Sequence, residues 1–169
     1  MRTRYIGGVS DLRNVIVFAV RDQRYAIEIR WVREMVSLGF VTTVPTAPAA
    51  VLGLCNLHGT IVAVIDIPAL LPAPSATNVA GGAPLPTVAR QGDGAIVVEV
   101  AGSPLAMRVD KIERVVSLPF DDDRLIDTTQ PEVKLLAPET LLRLLTAQFD
   151  AAAAHEEQAL RAATVPGTP

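Results

Sequence analysis

The 169-residue sequence has little of several features that mark particular classes of protein. Its single cysteine excludes an internal disulfide, and 4% aromatic content with a net charge of −3 makes nucleic-acid binding improbable. Arg, Asp or Pro interrupts every apolar run before it reaches the ~20 residues that a membrane-spanning helix needs. The first residues lack the apolar core of a signal peptide. These absences predict a cytoplasmic protein with no membrane segment of its own.

Residues that carry catalysis or bind metal ions are equally scarce. The chain has two histidines, and Cys55 lies between apolar residues with no neighbouring base. Asp121, Asp122 and Asp123 are consecutive, so their carboxylates point in different directions and lack the alternating spacing of a calcium loop. The sequence therefore predicts no catalytic residue, no metal site and no cofactor.

Hydrophobic residues make up 50% of the chain, enough for a packed core, and the most informative of them lie in residues 51–71. Two apolar runs of strand length are joined there by the tetrapeptide Asn56-Leu57-His58-Gly59, which predicts a β-hairpin with Gly59 in the turn. Asp66 ends the second run. Pro68 suits the first turn of a short helix, because that position needs no backbone N–H.

The first half of the chain repeats in the second half. Residues 15–38 align with residues 95–118 without a gap at an offset of 80, which predicts two copies of one β-rich unit. Residues 65–71 find their counterparts at 136–142, an offset of 71, so the second copy is shorter by about nine residues. We expect the second unit to lack one strand.

This repeat divides the chain into an arm, a domain of two subdomains, and a tail. From Pro138 the leucines follow a helical period, which predicts an amphipathic helix that packs on the core or binds a partner helix. The predicted segments are the arm 1–14, the domain 15–145 with subdomain 1 at 15–71, linker 72–92 and subdomain 2 at 93–145, and the helix and tail 146–169.

The sequence resembles the CheW-like domain, the module that links chemoreceptors to the CheA histidine kinase in bacterial chemosensory arrays. The resemblance covers residues 15–145 and is carried by five motifs: Val32-Arg-Glu-Met, Val44-Pro45 with Pro48, Gly53-Leu-Cys-Asn-Leu-His-Gly, Ile61-Val-Ala-Val-Ile-Asp-Ile with Leu70-Leu71, and Val109-Asp110-Lys-Ile. It implies a mainly β fold of two SH3-like five-stranded β-barrels, here with a reduced second barrel and a C-terminal α-helix. It also implies an adaptor without catalytic activity.

The resemblance further implies where partners bind. The hairpin tip of a receptor's cytoplasmic coiled coil would enter a groove between the barrels, and barrel ends would dock on the kinase's regulatory domain. The implied groove residues are Val32, Gly53, Leu57, Val109 and Ile112, with Glu34 and His58 as a predicted pair, and Asn56, Gly59 and Asp66 are predicted to shape the turn and the end of its second strand.

Two departures from the family pattern affect these expectations. His58 stands where the family usually has arginine, so its charge changes near neutral pH, and His58 and Glu34 could equally be solvated surface residues. The shortened second copy, with Ala137 at the position of Asp66, predicts weakened kinase contact, as in divergent members of the FrzB type. A decoy that competes for receptor sites and a small-ligand-binding β-barrel remain the alternatives.

Overall fold

The structure, a computed structural model, describes residues 11–71, 88–121, 124–125 and 133–163. Ten residues of the predicted arm, most of the predicted linker, Asp122, Asp123 and the last six residues lie outside these ranges. The described part is mainly β and ends in a long helix, which confirms the predicted fold class.

The described residues contain eleven strands, two α-helices and one 3-10 turn at Ile29–Trp31. The strands are β1 (Asp11–Val20), β2 (Gln23–Glu28), β3 (Val32–Ser37), β4 (Val41–Thr42), β5 (Val51–Leu57), β6 (Thr60–Ile65), β7 (Gly94–Val100), β8 (Ser103–Val109), β9 (Lys111–Asp121), β10 (Arg124–Leu125) and β11 (Lys134–Leu136). The helices are α1 (Ile67–Leu70) and α2 (Pro138–Ala163). Because β1 begins at Asp11, it includes the last four residues of the predicted arm.

The strands form two sheets, and each sheet takes strands from both sequence copies. Sheet A has the order β10-β9-β1-β2-β11, and sheet B has the order β3-β7-β8-β6-β5-β4. The hairpin β1–β2 pairs with β9 on one side and, in parallel, with β11 on the other. The hairpin β7–β8 pairs in the same way with β3 and β6. The predicted subdomain boundaries at residues 71 and 93 separate the two copies of the repeat, whereas each sheet contains strands from both copies.

This exchange explains why the first strand of each copy is a continuous apolar run. On β1, Ile16, Phe18 and Val20 face a central core that lies between the two sheets. Val15 and Val17 alternate with them and point into a second cluster on the other face of sheet A. β7 shows the same alternation between the central core and a cluster enclosed by sheet B. Both faces of these strands are therefore buried, as their sequence predicts.

The two sheets differ where the second copy is short. In sheet B, β5 covers β6, and Val62 and Val64 are 2% and 0% exposed. In sheet A, β11 pairs with β2 alone among the described strands. Val133 and Leu135, the repeat counterparts of Val62 and Val64, are half-buried. Among the described residues, sheet A has no counterpart of β5 or of its partner β4, whereas β10, at the edge beside β9, has no counterpart in sheet B.

The helix α2 joins the central core through its first turns. Leu141 and Leu145 are buried there, and α2 contacts β7 and α1. Phe149 is 46% exposed, and the described side chains beyond it are exposed except that of the half-buried Ala152. No helix in the described ranges is long and apolar enough to cross a membrane.

Candidate protein-interaction site

The predicted hairpin turn joins β5 to β6 and presents His58 to solvent. His58 and Gly59 have φ values of +50° and +88°, the pattern of a two-residue turn whose twist matches that of the strands. Asn56 Oδ1 accepts a hydrogen bond of 2.8 Å from the Gly59 N–H, which holds the turn. Asn56 and Gly59 thus have the structural role that the sequence predicts.

The predicted pair of Glu34 and His58 is in contact. His58 Nε2 lies 3.5 Å from Glu34 Oε2, and the two side chains are 81% and 30% exposed. Glu34 belongs to β3 at one end of the strand order of sheet B, whereas His58 follows β5 near the other end. The contact therefore joins residues from opposite ends of the strand order, although a contact this exposed contributes little stability.

Gly53 lies at an irregularity of β5 where β4 packs closely. Its φ is +149°, and a Cβ there would lie 2.8 Å from Val41 Cγ1 and meet the carbonyl oxygen of Thr42. A glycine is required at this position because a side chain would collide with β4. This packing explains Gly53 without a partner, and its place in a receptor groove stays a prediction.

The other predicted groove residues differ in exposure. Val109 is 3% exposed in the central core, and Leu57 packs against the cluster enclosed by sheet B. Val32 is partly buried against the central core, and Ile112 on β9 is 38% exposed. Val32 and Ile112 offer apolar surface near the junction of the sheets, whereas Val109 belongs to the buried core.

Asp66 is buried and has a partner that sequence reasoning missed. Arg21 Nη2 donates a hydrogen bond of 2.7 Å to Asp66 Oδ2, and the Asp66 side chain is 2% exposed. Burial raises the pKa of the nearby Tyr25, and the Asp66 charge raises it further, while Arg21 lowers it. The sequence signal for this pair lies in the repeat, because the positions equivalent to Arg21 and Asp66 are Ala101 and Ala137.

Asp93 anchors the start of β7 to β8. Its Oδ2 accepts hydrogen bonds from the Arg90 N–H at 2.9 Å and from Arg108 Nε at 3.0 Å. Burial alone would raise the pKa of this carboxyl, but the hydrogen bonds from Arg90 and Arg108 and their charges outweigh it and lower the pKa. Asp93 is therefore a structural anion.

A second surface that the sequence did not predict lies on the outer face of sheet B. Phe40, Ile61 and Leu54 are 79%, 63% and 37% exposed. The register pairs Asn56 with Ile61 and Leu54 with Ala63, and Phe40 directly precedes β4 beside them. The residues that follow them in the chain, Val41, Cys55 and Val62, pack in the cluster enclosed by sheet B, so these three side chains point to the outside of the sheet. We call Phe40, Leu54 and Ile61 the sheet B patch; clustered exposed apolar residues of this kind mark interaction sites.

The remaining candidates for a catalytic or metal-binding role are not arranged for that role. Cys55 is 2% exposed and burial raises the pKa of its thiol, which opposes the thiolate that a nucleophile needs. Among the described residues no group of three His, Cys, Asp or Glu side chains could hold a metal ion.

A family model described as the CheW-like domain matches residues 14–142. The chain belongs to the CheW-like domain family. The match spans both sheets and the start of α2, so it includes the strand exchange described above. It also covers every residue of the candidate site and the sheet B patch.

Curated CheW proteins resemble parts of the chain. It is 29% identical over 108 residues to the chemotaxis protein CheW of Treponema pallidum (strain Nichols), which covers 64% of this chain and 59% of that relative. It is 41% identical over 59 residues to the chemotaxis protein CheW of Rhizobium meliloti (strain 1021), which covers 35% and 38% of the two. The chain thus spans less than two thirds of these relatives.

Among solved structures, the crystal structure of scaffolding protein TtCheW from Thermoanaerobacter tengcongensis matches with a TM-score of 0.57 at 20% identity. The superposition covers 83% of this chain and 93% of that one. At this identity the likeness shows the fold, which is that of two SH3-like barrels.

Proposed function

We propose that the protein is a non-catalytic adaptor of a bacterial chemosensory complex, which couples chemoreceptors to a CheA-type histidine kinase. The observation that carries the proposal is the CheW-like family match over residues 14–142. It works in the cytoplasm and reaches membrane receptor arrays through its partners. Its contacts with each partner are physical and modest in affinity, and the many copies in an array raise the overall binding.

The receptor contact is the groove at the junction of the sheets. Ile112, at 38% exposure, and the partly buried Val32 supply apolar surface for the tip of a receptor coiled coil. Glu34 and His58 provide a polar rim at the mouth of the sheet B barrel. A few central apolar residues with a polar rim are the usual composition of a binding site of this kind.

The kinase contact is the sheet B patch. Phe40, Leu54 and Ile61 present apolar surface on a barrel that retains its full set of strands, whereas sheet A is the shorter one. A kinase regulatory domain of the same fold would cover this patch with a barrel end of its own. The shortened sheet A supports the expectation that any second kinase contact is weakened.

The ligand-sensor alternative receives less support. The cleft that contains Arg13, Glu28 and Arg30 is polar, but Glu28 accepts hydrogen bonds from both arginines, at 3.3 Å and 3.1 Å. These groups satisfy one another and do not converge on an open site for a small molecule.

Ile112→Glu tests the receptor contact. A receptor cytoplasmic fragment that contains the hairpin tip is titrated into the protein, and Ile112→Glu is expected to weaken binding at least tenfold. Val115→Glu is the matched control, because Val115 lies on the same strand and is 58% exposed. Equal affinity of the two variants for the fragment would contradict the assigned groove.

Ile61→Glu tests the kinase contact in the same format with the CheA regulatory domain. We expect the unmodified protein to bind the domain and Ile61→Glu to bind it at least tenfold more weakly. Val115→Glu should bind it with unchanged affinity. A protein that binds receptor but not the kinase domain would instead act by occupying receptor sites, as a decoy does. Failure to bind either partner would refute the adaptor function.

A further inference from the structure

Arg21 lies in the turn between β1 and β2 in a conformation that most side chains avoid. Its φ is +54°, in the left-handed region. Ala101, the repeat counterpart in the turn between β7 and β8, has nearly the same φ of +50°. The backbone geometry therefore belongs to both turns, and the arginine side chain is what the first copy adds.

The side chain of Arg21 crosses from sheet A to sheet B. Its Nη2 donates to Asp66 Oδ2 at 2.7 Å, and Asp66 lies between β6 and α1. The backbone of Asp66 is fixed as well, because its N–H donates to the carbonyl oxygen of Ala50 at 2.8 Å. The other carboxylate oxygen of Asp66 is buried without a hydrogen-bond partner among the described residues. A buried carboxylate in this position depends on the ion pair that it makes.

The backbone of Arg21 holds a second crossing point between the sheets. Its N–H donates to Asp110 Oδ2 at 2.5 Å, and Asp110 Oδ1 accepts a hydrogen bond of 2.7 Å from Arg108. Asp110 is the one residue between β8 of sheet B and β9 of sheet A, and its own N–H donates to the Ala19 carbonyl at 3.0 Å. Ile112 of the proposed groove follows two residues later.

Among the described residues, the other half of the repeat has no counterpart of the ion pair between Arg21 and Asp66. Ala101 and Ala137 occupy the positions of Arg21 and Asp66. Near Ala101, a cleft of about 630 Å³ lies open between the β7–β8 turn and the helix α2, with Leu142 and Ala147 in its wall. The first copy thus has an ion pair between the sheets at the positions where the second copy has two alanines.

We infer that Arg21 is a positioning residue that fixes the orientation of sheet A relative to sheet B and so sets the shape of the groove at their junction. Its guanidinium holds Asp66 and its backbone holds Asp110, so one residue contacts two points at which the sheets meet. The role in receptor binding rests on the proposed function, whereas the effect on sheet orientation does not. Two separate measurements therefore distinguish them.

The first measurement is the distance between the sheets. Spin labels on cysteines introduced at the exposed positions Thr60 in sheet B and Ser117 in sheet A report it by double electron–electron resonance. The native Cys55 is buried and does not compete for the label. In the Arg21→Met/Asp66→Asn variant, which leaves no unpaired buried charge, we expect the distance distribution to become at least twice as wide.

Arg24→Met is the matched control, because Arg24 lies in the same hairpin but pairs at 3.1 Å with Glu113 within sheet A. We expect its distance distribution to equal that of the unmodified protein. Arg21→Lys, which keeps the charge without the planar fork of the guanidinium, should show intermediate broadening and serves if the double variant does not fold. A distribution unchanged from the unmodified protein in the folded Arg21 variants would overturn the inference.

The second measurement is affinity for the receptor fragment, which should fall about tenfold in the double variant and remain unchanged in Arg24→Met. A broadened distance distribution with unchanged affinity would overturn the link to the groove. If the unmodified protein fails to bind the fragment, the proposed function fails, and the distance measurement still decides the role of Arg21 in sheet orientation.

Discussion

Gly53→Ala tests the close approach of β4 to β5. The added methyl group would meet the Thr42 carbonyl oxygen and approach Val41 Cγ1 to 2.8 Å, at a residue whose φ is +149°. The unfavourable backbone region costs about 1–3 kcal/mol, and overpacking adds about 1–3 kcal/mol. We expect the free energy of unfolding to fall by roughly 2–6 kcal/mol, a large share of the stability of a domain this size.

Gly59→Ala separates the two contributions. Gly59 also has a positive φ, +88°, but an added Cβ would meet no atom within 4 Å. This variant should lose only about 1–2 kcal/mol, the cost of the left-handed conformation. Urea unfolding followed by circular dichroism gives both values, with the slope of each transition as a check on the unfolded state. If Gly53→Ala costs no more than Gly59→Ala, the packing explanation for Gly53 is wrong.

Three further predictions concern the core and its titratable groups. Leu141→Ala should lower the free energy of unfolding by about 2–5 kcal/mol. Phe149→Ala should lower it much less, because the Phe149 side chain is 46% exposed. Equal losses of stability in urea unfolding would contradict the placement of α2. Because the pKa of Asp93 is lowered on folding, its stabilisation is complete above the ordinary value of 3.8 and is lost as pH falls through the lowered folded pKa. Asp93→Asn should therefore be less stable than the unmodified protein at neutral pH, and the difference should close in acid; a constant difference in unfolding free energy from pH 7 to 2 would refute this. Cys55 should react with a thiol reagent only after addition of denaturant, and rapid reaction of the native protein would contradict its burial.

The repeat was the most informative feature of the sequence for the fold. It predicted two β-rich units, and the apolar runs of β1 and β7 predicted strands buried on both faces, because alternate residues pack in different clusters. The difference between the offsets of 80 and 71 predicts a lost strand, and among the described residues β11 has no neighbour equivalent to β5. The amphipathic pattern from Pro138 also predicted α2.

The exchange of strands between the copies could not be predicted from the sequence. Both copies have equivalent strands, so the local pattern of β3 is compatible with pairing to β7 of the other copy or to β1 of its own. Only the packing of the whole chain decides between them. The same limit applies to the site, because Val109, which the resemblance places in the receptor groove, is only 3% exposed and lies in the central core.

Partner residues that lie far apart in sequence were also missed. The sequence around Arg21 is typical of a polar turn, whereas the Arg21 guanidinium donates a 2.7 Å hydrogen bond to Asp66, 45 residues away. The sheet B patch has the same origin, since Phe40 and Ile61 come to the same face of sheet B only when β4, β5 and β6 pair. The contact between Glu34 and His58 is different, because the resemblance to the family pairs these two residues although they are far apart in the sequence.

The proposed adaptor function requires that the protein hold receptor and kinase at the same time. The most direct measurement is size-exclusion chromatography with light scattering on a mixture of the protein, a receptor cytoplasmic fragment and the CheA regulatory domain. We expect a complex that contains all three, because we assign the receptor contact to Val32 and Ile112 and the kinase contact to different residues, those of the sheet B patch. Mutual displacement, in which the receptor fragment releases the kinase domain from the protein, would contradict coupling.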